Sequence, residues 1–551
     1  MIQRLLALLF VVALSPFASA DLKEEWDTLK KHEAPLPSRM AAAKLIAERA
    51  NKDKECGKIA NDFIELGLKA NTPPELRSVL CDALSSCPSD EGAKALMKHI
   101  GQGQPTERGW VVRAARGMTW PELDKALASK ALTDDDSDIR QLTVDVLVQH
   151  KFAGAIPAFE AILKAGKDTD VLGPVVTGIS KLQTGTPGWD GWETRLVEYA
   201  KSKNDTIRRA ALAVVAQEKN VAQLDLFLEA LGNADWSTRA LALGFLEKCG
   251  SKKAVGAIIE QMRREPTGTR MSIECERALA RMSGMNFGDR VEDWATWWKN
   301  TEATFEFPKS SGNAKTAGPR PPRLDTGTGV AKFYGIEIES KRVIFVIDIS
   351  GSMMDPTKDP VAPGTPRIEV AKRELAKIVD ELPPGSLFNI ITFNDSVEGW
   401  LDHIGDLPSN LGPGTGGKKG GKAPATGDPK KDEKPKDDAE KKRDDEKQKK
   451  LDDALRAKAK EYVSRLSANR GTNIYDAFEK AFDDPVVDTI FFLTDGLPSV
   501  GEETDPQLIR EAVARWNLTR KIKINTIAIG FNFDYLHSIS SDSGGEHKYL
   551  E

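Results

Sequence analysis

Residues 342–352 read Arg-Val-Ile-Phe-Val-Ile-Asp-Ile-Ser-Gly-Ser, an almost unbroken β-branched and aromatic run that ends in Asp348, Ser350 and Ser352. A short apolar run without alternation suits a strand buried on both faces, as in a parallel sheet. Its end then opens on the sheet's C-terminal edge, where ligands bind in open α/β sheets. Asp-x-Ser-x-Ser puts one carboxylate and two hydroxyls on one tight turn, and Gly351 lets the backbone bend between them. Alone, such a turn is an ordinary surface feature, because Asp and Ser satisfy their own backbone there.

Two downstream segments change its meaning. Arg470-Gly471-Thr472-Asn473 supplies a hydroxyl on a loop before a helix. Asp488-Thr-Ile-Phe-Phe-Leu-Thr-Asp495-Gly496 supplies a second carboxylate at the end of another apolar strand. All these donors are hard oxygens, which suit a small cation such as Mg²⁺ that keeps water or a partner's oxygen in its octahedral shell.

The set Asp348-x-Ser350-x-Ser352, Thr472 and Thr494-Asp495-Gly496 resembles the metal-ion-dependent adhesion site (MIDAS) of von Willebrand factor A-type (VWA) domains, over roughly residues 333–551. The resemblance implies a doubly wound, Rossmann-like α/β domain. It also implies that Ser350, Ser352 and Thr472 are direct ligands of a divalent cation, with Asp348 and Asp495 acting largely through water. Mg²⁺ is the expected ion, with Mn²⁺ or Ca²⁺ as alternatives, and the remaining position is left for a carboxylate from a protein partner. Asp355 and Asp359, just past the loop, read either as an auxiliary cation site or as exposed loop carboxylates.

At 551 residues the chain is too long for a single core. A net charge of −5 gives no case for nucleic acid. Residues 1–20 carry Arg4, an apolar core Leu5–Leu14, Pro16 and Ala18-Ser19-Ala20, the pattern of a secretory signal peptide cleaved before Asp21. An uncleaved anchor is the alternative, but the apolar core is short for a bilayer. The expectation is an exported protein, periplasmic or extracellular or of the cell envelope, with no transmembrane segment after cleavage. The five cysteines, Cys56, Cys81, Cys87, Cys249 and Cys275, fall inside helical apolar patterns and read as small buried hydrophobes, although export permits disulfides. Their spacing gives no zinc pattern.

Residues 21–300 are helix-forming. Aligning Leu76-Arg77, Glu107-Arg108, Ile139-Arg140, Val171-Leu172, Ile207-Arg208, Thr238-Arg239 and Thr269-Arg270 gives steps of about 31 to 36 residues, the period of a helix-pair solenoid. Capping residues precede several of them, as at Asp136, Asn204 and Asp235. The region resembles HEAT-like repeats, and Gly284-Met-Asn-Phe-Gly-Asp with Trp294, Trp297 and Trp298 looks like the terminal unit of such arrays in some bacterial exported proteins. The aligned arginines read as braces between repeats. The three tryptophans share one helical face and read as a seal rather than a sugar-binding platform. The array suits a protein-docking scaffold.

Residues 301–332 shift to Pro, Gly, Ser, Thr and Lys, the composition of a spacer, so the flanking domains are expected to fold separately. In the domain that follows, Phe333–Ile338 reads as one short strand, Arg367–Leu382 as a helix and Leu387–Phe393 as a buried strand. A tract of Gly, Pro, Lys, Asp and Glu at about 409–448 reads as a disordered insertion whose charged end extends a helix at Leu451–Leu466. Beyond it, helices and strands alternate to the chain's end.

These readings make the chain an exported, metal-dependent protein-binding protein, not an enzyme. A metal-assisted hydrolase is the first alternative, but no histidine or paired base accompanies the motif. A structural envelope scaffold, in which the ion merely stiffens a loop, is the second.

Overall fold

The computed structural model describes residues 22–167, 169–217, 223–308, 331–358, 363–404 and 438–551. Residues 1–21, with the stretch read as a signal peptide, most of the spacer, Asp359 and the insertion up to residue 437 lie outside the described residues. The chain divides into two compact units, Met1–His150 and Lys151–Glu551.

The first unit is helical. Helices Leu36–Lys52, Pro74–Ser86, Pro105–Ala115 and Ser137–Gln149 pack each on the next as one layer, and Cys56–Gly67, Asp90–Met97 and Pro121–Ser129 form the other. Caps set the starts: the Asp136 side chain accepts from the amides of Asp138 and Ile139. Arg77, Arg108 and Arg140 each donate to carbonyls of the loop preceding their own helix, at Lys69, Gly103 and Asp134. Arg108 also reaches forward to Asp134, so these arginines cap the loop before their own helix and, at Arg108, brace the next repeat as well. The reading of the cysteines needs one correction. Cys56 and Cys87 form a disulfide across 31 residues, with Cα atoms 5.3 Å apart, while Cys81 and Cys275 are buried thiols.

The second unit joins the remaining helices to an α/β layer. Helices Thr169–Gln183, Asp205–Gln217, Trp236–Lys248 and Arg270–Ser283 repeat the layer pattern, and Val291–Thr301 closes it. Trp294 and Trp298 are buried, and Trp297 packs on Phe287 and Phe305. This is the seal that the tryptophan spacing predicts.

The α/β layer contains β1 (Lys332–Phe333), β2 (Ile336–Glu337), β3 (Arg342–Asp348), β4 (Leu387–Phe393), β5 (Val397–Gly399), β6 (Thr489–Thr494), β7 (Lys523–Ile529) and β8 (His547–Leu550). The main sheet has the order β5-β4-β3-β6-β7-β8, parallel except for β5 at its edge. Alternate residues of the same strands enter two cores. Ile344, Val346 and Phe492 pack under helices Ile474–Phe482, Pro506–Arg520 and Asp534–Ser543. Val343, Phe345 and Phe491 pack under helix Arg367–Glu381 and the end of Asp438–Ser464. Burial on both faces is why these strands read as continuous apolar runs. Residues 438–448 are the first turns of the long helix.

Residues 333–338 are not one strand. β1 and β2 form an antiparallel hairpin whose two turn residues, Tyr334 and Gly335, both have positive φ, +49° and +85°.

The spacer composition also misses a junction. Arg277, on helix Arg270–Ser283, pairs with Glu339, which also takes Lys523 at 2.8 Å. Arg270 donates to the Asp488 carbonyl, and Ser237 Oγ donates to that of Arg520 at 2.8 Å. Arg208 and Arg239 brace the loops before their own helices, at Ser202 and Asn233. Arg270 extends the same ladder to the sheet. The elements on either side of the spacer hold each other through these groups, all at the N-terminal ends of the strands.

Candidate metal centre

The opposite rim carries the motif. β3 delivers Asp348, fully buried, and the chain turns at once, with the Ser350 amide donating to Asp348 Oδ1 at 2.7 Å. Thr494 Oγ1, at the end of the neighbouring strand β6, donates to Asp348 Oδ2 at 2.6 Å. Both oxygens of this carboxylate are thus fixed by the protein. Ser350 Oγ and Ser352 Oγ lie 3.2 Å apart, and Ser352 Oγ donates to Asp495 Oδ1 at 2.7 Å.

Thr472 arrives on a loop that the other segments hold. Arg470 adopts a left-handed φ of +67°, and its carbonyl accepts from the Gly351 amide at 2.9 Å. The Gly471 amide donates to Asp395 Oδ1 at 2.6 Å, and a methyl group on Gly471 would meet that same oxygen. The Thr472 amide donates to Ser499 Oγ, and the Ser499 amide returns a bond to the Thr472 carbonyl, each at 2.9 Å. A methyl group placed on Gly496 would stand 3.6 Å from Thr472 Oγ1 and 3.8 Å from Ser352 Oγ, so glycine keeps the space between these hydroxyls open. The structure therefore brings Asp348, Ser350, Ser352, Thr472 and Asp495 to one rim. Asp355, by contrast, is exposed.

Burial and like charge dominate the electrostatics at Asp348. Burial, and then the Asp495 carboxylate beside it, push Asp348 up to about 7. Burial, with a smaller contribution from Asp348, also raises the Tyr535 hydroxyl, which has no hydrogen-bond partner among the described residues. Tyr535 lines a cavity of about 480 Å³ together with Leu497, Asp505 and Phe533. Among the described residues no group of three or more His, Cys, Asp or Glu side chains is placed to hold a metal ion. The set here has two carboxylates, and its other donors are hydroxyls.

Sequence reasoning missed Arg367. Its Nη1 donates to Asp495 Oδ2 at 2.7 Å, and its side chain is only 12% exposed. The signal was present: Arg367 is the first residue of a helix, where a cation opposes the helix dipole and needs another reason to be there. Asp395 and Ser499, which hold the threonine loop, carry no such signal.

No protein-family model matches the chain. It is 28% identical over 221 residues to inter alpha-trypsin inhibitor heavy chain 4 of Mus musculus, covering 37% of this chain and 17% of that protein. It is 27% identical over 232 residues to inter-alpha-trypsin inhibitor heavy chain H4 of Homo sapiens, covering 38% and 18%. It is 22% identical over 226 residues to human von Willebrand factor A domain-containing protein 3A, covering 40% and 14%. The chain thus spans less than a fifth of the length of these relatives. Among solved structures, one of Kap121p bound to Nup53p matches 47% of this chain and 33% of that chain at a TM-score of 0.30 and 14% identity, a likeness too low to carry an argument. The chain is thus similar, over little more than a third of its length, to proteins one of which is named for a von Willebrand factor A domain, and its own α/β layer is a mostly parallel sheet.

Proposed function

We propose that residues 333–551 form a VWA-type domain with a MIDAS-type site, and that the protein captures an acidic side chain of a protein partner through a divalent cation, most readily Mg²⁺. The observation that carries this reading is the convergence of three hydroxyls and two buried carboxylates on one rim, with Asp348 pushed up to about 7 by its burial and by the Asp495 carboxylate. The donor set fits a hard cation: it is all oxygen, and Gly496 keeps it open. When bound, the cation would supply a Lewis-acidic position for a carboxylate. Ser350, Ser352 and Thr472 would hold it directly, with Asp348 and Asp495 balancing its charge.

The rim suits a protein partner. Met354, Leu497 and Phe531, on three loops that follow β3, β6 and β7, are large apolar side chains exposed by 55%, 53% and 62%. Among the described residues the basic group that touches the set is Arg367, a guanidinium that offers donors and no acceptor, so we read the site as a bridge and not a catalyst. The helical array, which we read as HEAT-like, would act as scaffold. The Cys56–Cys87 disulfide supports an exported chain, since such bonds persist in oxidising compartments. Among the described residues no helix is long and apolar enough to cross a membrane.

The test is capture of exported proteins on the immobilised protein in Mg²⁺ and in EDTA, with Asp495→Ala as control. Partners retained in Mg²⁺ and lost in both other lanes support the bridge; identical recovery in all three refutes it.

A further inference from the structure

Resting on that reading, Arg367 raises a question of charge. Its guanidinium is packed beside a donor set suited to a cation, 2.7 Å from Asp495 Oδ2 and 3.9 Å from Asp355 Oδ2. Its Nε is buried with no hydrogen-bond partner among the described residues. Gly530, at φ +79°, makes room for it, because a methyl group there would collide with the guanidinium. A chain that only needed to hold a divalent cation gains nothing from a fixed positive charge at this place, since like charges repel strongly where water is scarce.

The charge count supplies a reason. Leaving aside Asp355, whose carboxylate is exposed to solvent and screened by it, the two buried carboxylates and one divalent cation sum to zero, and a neutral rim exerts no net pull on an incoming anion. Arg367 brings the loaded site to +1, and a partner's carboxylate then returns it to zero. The hydrogen bond to Oδ2 also leaves Oδ1 to Ser352, so the same residue orients Asp495. We propose that Arg367 is a specificity-determining residue that weakens the hold on the divalent cation and strengthens the loaded site's attraction for an acidic partner.

Two affinities of the full chain test this. Mg²⁺ binding is measured by titration calorimetry. Acetate binding to the Mn²⁺-loaded protein is measured by relaxation of the acetate methyl protons. Arg367→Gln keeps a donor for Asp495 and removes the charge; it is expected to bind Mg²⁺ about tenfold more tightly and acetate about tenfold more weakly. Arg367→Lys should match the wild type in both, and Arg367→Met carries the same comparison as the glutamine variant should that one fail to fold. A merely structural arginine would lower both affinities, and that result, or no change in either, overturns the proposal. Absence of Mg²⁺ binding by the wild-type protein would instead refute the metal-site reading on which it stands.

Discussion

Thr494 Oγ1 donates to Asp348 Oδ2 at 2.6 Å, which ties together the C-terminal ends of the two central strands. Removing that hydroxyl leaves a buried carboxylate oxygen short of a donor. Thr494→Val is expected to cost about 1–3 kcal/mol in urea unfolding. A midpoint equal to that of the wild type would show that Asp348 finds another partner.

Asp348 opposes folding wherever it is ionised without a cation, because its burial and Asp495 disfavour the charge. Asp348→Asn should therefore raise the melting temperature in EDTA at pH 8 and abolish any further rise on adding Mg²⁺. A variant less stable than the wild type in EDTA would contradict the cost assigned to that buried charge.

Glu339 behaves in the opposite way. Burial works against its ionised form, but Arg277 and Lys523 hold its carboxyl down to about 2. Its contribution is complete above the unfolded-state value, near 4.5, and is lost as the pH falls towards 2. Wild-type stability should fall across this window, and Glu339→Gln should flatten the fall while costing about 3–5 kcal/mol at pH 7. Chemical denaturation at a series of pH values checks both.

Arg270 links the last rungs of the helical array to the strand end at Asp488. Arg270→Met should split the unfolding of residues 151–551 into two calorimetric transitions, whereas Arg239→Met should lower stability without splitting it. One transition in both would place the coupling elsewhere.

Reducing the Cys56–Cys87 bridge frees a segment of 31 residues. The expected cost to the helical unit is about 3–4 kcal/mol, read as a lower urea midpoint in reductant.

The rim was legible because its signals are local. Apolar runs ending in Asp348 and Asp495 announce buried strands, Ser350 and Ser352 follow Asp348 within a turn, and Thr472 stands in a short loop just before a helix. Arg367 lies in a separate segment, and only its awkward place at a helix start marks it. Tyr334 hid the β1–β2 turn, since an aromatic residue is not the usual choice for positive φ. The bond between Cys56 and Cys87 could not be read from spacing, because five cysteines allow many pairings. Glu339, Arg277 and Asp488 are far apart in sequence, so nothing in the spacer between them records that they meet.

The charged junction and the metal-type rim stand at opposite ends of the same strands, about 20 Å apart for a seven-residue strand. A tug from a partner held at the rim, resisted by an anchored helical array, would run along β3 and β6. Both strands are anchored at one end and carry site residues at the other, so they would bear the load side by side along their backbones, and the hydrogen bonds between them would not be peeled apart one at a time.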